Sequence, residues 1–225
     1  MSNAPSFPNE TERLLLAWGQ VASSQFVQPV GSLLAEVETS LAAGRWRKTH
    51  WNMFEVLGRP RLEMAHSRAI AWLMNPREAH GLGDAFLRKF FESAQLPIPP
   101  GTIGAVVATE KTLPSGRRVD IEVSAPGWTL VVENKIDAPE SERQTSDYEK
   151  YYCDLKARKP KGYDVYSVFL TKRGQRAGAE AFHLVSYSDV RSILENILAT
   201  HKPSGNSGLL IQHFAEHIAT ELEVD

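Results

Sequence analysis

Three side chains, Asp120, Glu133 and Lys135, carry the charges and the spacing for metal-assisted hydrolysis. Asp120 stands between Val119 and Ile121 in "RRVDIEVS", and "TLVVENKI" closes with Glu133, Asn134 and Lys135. On a strand, positions i and i+2 share a face, so the Glu133 carboxylate and the Lys135 ammonium lie side by side. The same alternation sends Val119 and Ile121 to one face, and Arg118, Asp120 and Glu122 to the other. The tight link "SAPGW" makes the two strands neighbours, which lets Asp120 and Glu133 converge. Two carboxylates held close raise each other's pKa unless a cation sits between them. Mg²⁺ takes oxygen ligands, commonly one or two protein carboxylates completed by water and phosphate. A lysine beside such an ion positions a water, helps deprotonate it, or neutralises charge growing on a phosphate.

The elements that must hold these residues follow from periodicity and punctuation. Asn9 with Glu12 starts a helix through "TERLLLAWGQVA", and "VGSLLAEVETSLAAG" makes a second, closed by Gly44. "RLEMAHSRAIAWLMNP" reads as a third helix, with Leu62, Ala65, Ala69 and Leu73 at helical spacing, and "GDAFLRKFFESAQLP" as a fourth. After Pro97–Gly101 come three strands, "GAVVATEKTL", "RRVDIEVS" and "TLVVENKI". A helix over residues 141–158 precedes strands at "YDVYSVFLT" and "FHLVSY", and helices over Asp189–Thr200 and Leu209–Leu222 close the chain, with "HKPSGNSG" a loop between them. The order predicts an α/β fold, a mixed sheet flanked by helices. Residues 1–49 form a helical N-terminal extension and 50–225 the main domain.

An acid on one strand, followed by acid-x-lysine on the next, resembles the PD-(D/E)xK nuclease superfamily at "VD" (119–120) and "ENK" (133–135). Val119 stands where the motif's proline would be. Gln144 and Tyr148, at i and i+4 on the following helix, are similar to the Q-x3-Y pair of the RecB-like and phage-exonuclease branch. "LEMAHSRAIAWLMNP…HGLGDAFLRKF" (62–90) resembles the leading segment of a bacterial family within that superfamily. The likeness spans roughly residues 50–172. It implies a restriction-endonuclease-like core, with Mg²⁺ or Mn²⁺ held by Asp120, Glu133 and Glu63, the Asn134 carbonyl a further ligand. It also implies that Lys135 positions the water, that Gln144 and Tyr148 contact the scissile phosphate, and that His66 and Ser67 lie on the adjoining helix surface as nucleic-acid contacts. DNA is the implied substrate, in restriction, defence or repair. The rival reading is a nuclease fold that binds nucleic acid or a partner without turnover.

Blander assignments compete for each residue. Glu133 and Lys135 would also make a strand-end ion pair worth under about 1 kcal/mol. Gln144 and Tyr148 would also suit a solvated helix face. Glu122 is an alternative metal ligand to Asp120, whereas Glu110 reads as a surface acid. Glu63-x-x-His66 lacks the second Glu-x-x-His helix of a di-iron site. "HFAEH" (213–217) matches an inverted zinc-protease motif, yet only eight residues follow it and no third ligand is available. No phosphate loop or cysteine cluster is present, and "HGLG" is too short for a dinucleotide fingerprint.

The chain has 225 residues, 42% of them hydrophobic and 23% charged, which suits a globular protein. Its net charge of −2 advertises no global affinity for nucleic acid, so a local basic patch must supply it. Candidates are Arg143, Lys150, Lys156, Arg158, Lys159 and Lys161, interleaved with Tyr151 and Tyr152, and then Lys172, Arg173 and Arg176. The single Cys153 excludes an internal disulfide. No apolar run approaches a membrane span, and a cytoplasmic location is the expectation. Oligomeric state stays open, a homodimer being one option.

Overall fold

A computed structural model of the chain describes residues 52–222 except 57–62, 138–140, 142 and 204, together with Ala35 and Thr39. Of the two helices expected before residue 50, only Ala35 and Thr39 of the second are described, and both are helical; the rest lies outside the described residues.

Five strands form one sheet in the order β1 (Val106–Thr112), β2 (Arg118–Ala125), β3 (Trp128–Lys135), β4 (Asp164–Thr171) and β5 (Phe182–Ser186). The first three run antiparallel through short turns, while β3, β4 and β5 are mutually parallel. A parallel step needs a crossover of a dozen or more residues. Between β3 and β4 it is the helix α3 (Gln144–Ala157). The unbroken apolar run of "WTLVV" suits the strand buried on both faces, and only Lys135 of β3 is not buried. β1 is an edge, largely exposed or half-buried along its length.

The helices α1 (Glu63–Met74), α2 (Ala85–Ser93), α4 (Tyr187–Thr200) and α5 (Gly205–His217) share the larger core with one sheet face. Ile121, Val123, Leu130, Val132, Val168 and Leu170 point into it. The other face carries a smaller core of Val119, Val131, Tyr148, Tyr152, Phe169 and Phe182, to which α3 contributes both tyrosines. The fold is therefore the expected α/β arrangement, a five-stranded mixed sheet flanked by five helices.

Three details differ from the pattern expected of the sequence. Val119 departs from strict alternation with Ile121 and joins the smaller core. The β1–β2 ladder is interrupted there: Thr109 pairs with Ile121 and Lys111 with Val119, but the intervening Glu110 and Asp120 do not pair, and Glu110 has φ 54°. Next, α4 begins at Tyr187 rather than Asp189, because Ser186 and Asp189 form a reciprocal capping box and Asp189 is already the third helical residue. Finally, α5 starts within the expected loop, at Gly205. Gly208 is required there, since a β-carbon would collide with the Pro203 carbonyl.

Candidate active site

The antiparallel register puts Ile121 opposite Val132, so Asp120 and Glu133 are the next residues at the same end of β2 and β3. Glu133 faces α3, as do Val131 and Lys135, while Leu130, Val132 and Asn134 face the larger core, and Asp120 reaches the backbone of Asn134. That alternation separates the chemistry from its support.

On the α3 side, Glu133 is fully buried. Its Oε1 accepts from Gln144 Nε2 at 2.5 Å and pairs with Lys135 Nζ at 3.0 Å. Its Oε2 is equally buried and has no hydrogen-bond partner among the described residues. The Tyr148 hydroxyl lies near Glu133, but its one proton goes to the Arg118 carbonyl, 2.5 Å away. Gln144 also donates to Tyr148 Oη at 3.0 Å and accepts from Ser141 N and Oγ at 3.3 and 3.0 Å. A side chain held at both ends of its amide has a fixed orientation.

Asp120 Oδ2 accepts from the Asn134 backbone N–H at 2.8 Å. Glu63, the first residue of α1, reaches across to accept from the Ile136 N–H at 3.0 Å, and its other oxygen lies 3.8 Å from Lys135 Nζ. The ammonium thus sits between two carboxylates. Among the described residues no three His, Cys, Asp or Glu side chains cluster as a ready-made metal site. The donor set is the pair Asp120 and Glu133, with Glu63 at its margin.

The electrostatics follow from this crowding. Burial pushes the Glu133 carboxyl up to about 8, the Asp120 charge adds to the rise, and Lys135 opposes it. Burial also raises Asp120, against the Asn134 N–H and Lys135. For Lys135, burial disfavours the charge, yet Glu133 and then Glu63 and Asp120 outweigh it, leaving the ammonium more firmly protonated than usual. A buried carboxylate with an unpartnered oxygen, raised further by the charge of the half-buried Asp120, is a combination that a divalent cation relieves. These residues fit such an ion.

Behind the sheet, Asn134 ties the strand to two helices. Its Nδ2 donates to the Glu63 carbonyl at 3.2 Å and to Ser67 Oγ at 3.0 Å, and its Oδ1 accepts from Tyr187 Oη at 2.9 Å. His66 and Ser67 are buried, 0% and 3% exposed. His66 packs against the rings of Phe54, Phe214, His217 and Tyr187. The expectation that His66 and Ser67 lie on a helix surface as nucleic-acid contacts is therefore corrected, because this face of α1 is what the larger core covers. Tyr148 is also buried, 1% exposed, so its hydroxyl orients Gln144 from inside the site.

A family model described as the PD-(D/E)XK nuclease superfamily matches residues 51–216. The chain belongs to the PD-(D/E)XK nuclease superfamily. No curated protein matches it. The matched range spans the candidates Glu63, Asp120, Glu133, Lys135, Gln144 and Tyr148.

Other sequence candidates separate within this nuclease fold. Glu122 is engaged elsewhere: it receives Lys111 Nζ at 2.6 Å and Tyr152 Oη at 2.6 Å, which commits both its oxygens. The basic residues divide by position. Lys172 and Arg173 directly follow Thr171, the partner of Lys135 across β3–β4, and Arg143 precedes Gln144. Lys156 instead pairs with Asp164 at the opposite end of β4, and Lys159 lies over the Tyr163 ring. An α-helix rises 1.5 Å per residue, so the far end of α3 is roughly 20 Å from Gln144. Lys156 and Lys159 are thus not part of the site. The supporting roles of Tyr187, Ser141 and Tyr152 went unseen in the sequence. Only Tyr152 left a signal, as the i+4 continuation of Gln144 and Tyr148.

Proposed function

We propose that the chain is a divalent-metal-dependent nuclease that hydrolyses phosphodiester bonds in DNA. The observation that carries this reading is Glu133 Oε2, a buried carboxylate oxygen without a partner among the described residues, close enough to the half-buried Asp120 to feel its charge. A structural ion pair would leave no such atom, because an unsatisfied buried acceptor costs about 1–3 kcal/mol.

Asp120 and Glu133 would hold the ion, with Glu63 reaching it directly or through water. The Asn134 side chain is engaged on the other sheet face, so its backbone carbonyl is the ligand candidate there. Bound Mg²⁺ or Mn²⁺ would polarise the phosphoryl oxygen and lower the pKa of a water. The chain's own residues do the rest. Lys135, firmly protonated, donates hydrogen bonds that orient the attacking water and offset charge on the phosphate. Water oxygen bonds to phosphorus and releases one proton to solvent, the bond to one ester oxygen breaks, and that oxygen leaves carrying a proton drawn from solvent. Gln144 fixes Glu133 Oε1, which leaves Oε2 directed at the ion. Tyr148 holds Gln144 in turn. Lys172, Arg173 and Arg143, at this end of the sheet, are the basic groups available to the backbone.

The test is incubation of the chain with linear duplex, circular and single-stranded DNA, with and without Mn²⁺. Metal-dependent cleavage lost in Glu133→Gln and Lys135→Ala is expected. Retained cleavage in either variant overturns the assignment. A metal-binding titration addresses the alternative of a binding module: an intact Asp120–Glu133 pair that takes up no ion favours that reading.

A further inference from the structure

The edge strand β1 holds an unusual residue beside the site. Glu110 is the residue across from Asp120 where the β1–β2 ladder skips, and its φ of 54° is left-handed. Such a conformation inside a strand is disfavoured for a residue with a β-carbon. It persists only where the surroundings hold it, and these outliers gather at ligand-binding positions.

The Glu110 carboxylate is approached by a pair of arginines from two different elements. Arg68, on α1 five residues after Glu63, approaches Oε2 at 3.7 Å, and Arg118, two residues before Asp120, approaches Oε1 at 3.2 Å. The two guanidiniums are 64% and 60% exposed. Ion pairs this exposed contribute little to holding a fold together. Two guanidiniums converging on the two oxygens of one anion do, however, offer the charge and the donors that a phosphate takes. Arg118 is near enough to act on the Asp120 charge.

We propose that Arg68 and Arg118 form a second phosphate-binding site at the edge strand β1 beside Asp120, where Glu110 is a placeholder carboxylate that a nucleic-acid phosphate displaces. The identity of the anion as nucleic acid rests on the nuclease reading above. An internal phosphodiester and a terminal phosphate share this chemistry, and the two are separable by experiment.

Binding of the full chain to a labelled DNA duplex, measured by anisotropy in EDTA across a salt series, is the test. Duplexes with and without a 5′-phosphate form its two arms. Arg68→Ala and Arg118→Ala are each expected to weaken binding about fivefold and to reduce the slope of log K against log salt by about one. Glu110→Gln, which releases both guanidiniums, is expected to tighten binding severalfold. Equal effects on both duplexes assign the site to an internal phosphodiester, and effects confined to the phosphorylated duplex assign it to a terminal phosphate. Unchanged affinity in both arginine variants, or weaker binding by Glu110→Gln, overturns the proposal. Arg118→Gln keeps the side-chain stem should the alanine variant fail to melt cooperatively. Cleavage by the unaltered chain with Mn²⁺ is assayed in parallel. If it is absent, the nuclease reading fails, while the binding data still decide the phosphate site.

Discussion

At the scale of single residues, Glu133 is the most consequential side chain in the molecule. Its carboxyl titrates near 8 when no metal is bound, against an ordinary value of 4.5. A carboxyl raised on folding binds more protons in the native than in the unfolded state between those two values, so stability falls as pH rises through that window. In EDTA the chain is expected to melt at a higher temperature at pH 5 than at pH 8.5, to the extent that Glu133 governs the difference. Glu133→Gln should flatten that dependence and raise the melting temperature at pH 8.5 by a few degrees. A Glu133→Gln variant with the same pH profile as the native chain would show that the group is solvated. Lys135→Ala is expected to lower the cleavage rate by about a hundredfold or more with little change in secondary structure, checked by single-turnover kinetics and circular dichroism.

At the scale of elements, α3 is fastened to the sheet by three tethers one turn apart. Gln144 reaches Glu133, Tyr148 reaches the Arg118 carbonyl, and Tyr152 reaches Glu122. Residues at i and i+4 share a helix face, so one stripe aligns the helix along two strands. Tyr152→Phe is expected to cost about 1–2 kcal/mol by denaturant unfolding, since Glu122 keeps Lys111 but loses a hydrogen bond. Asn134→Ala is expected to cost more, about 2–4 kcal/mol, because it strands the Tyr187 hydroxyl and leaves a void between β3, α1 and α4. Denaturation midpoints rank the two, and a smaller loss in Asn134→Ala would contradict the anchoring role given to its amide.

At the scale of the whole molecule, the sheet separates two tasks. One face carries a large core built by four helices, and the other carries the acidic site under a single helix. No helix among the described residues is long and apolar enough to cross a membrane. A ligand that binds only the native state raises stability with its concentration. Mg²⁺ or Mn²⁺ is therefore expected to raise the melting temperature of the native chain saturably, and Asp120→Ala should abolish that rise. An equal rise in Asp120→Ala would place the ion elsewhere.

That β2 and β3 are neighbours was legible in the residues, because the turn "SAPGW" is short. Period-two alternation then placed Glu133 and Lys135 side by side, whereas it failed in β2, where Val119 joins the smaller core. The Q-x3-Y spacing located Gln144 and Tyr148 for the same kind of reason: local geometry repeats. What local geometry does not contain is the depth of each side. Nothing in "EMAHS" says that His66 and Ser67 face the core, since the helix partners that cover them, α4 and α5, come more than 120 residues later. Nor does "ATEKT" announce that Glu110 turns left-handed opposite Asp120. Those facts depend on contacts between distant segments. Burial, and with it the raised pKa of Glu133 and its unpartnered oxygen, arises when the elements pack.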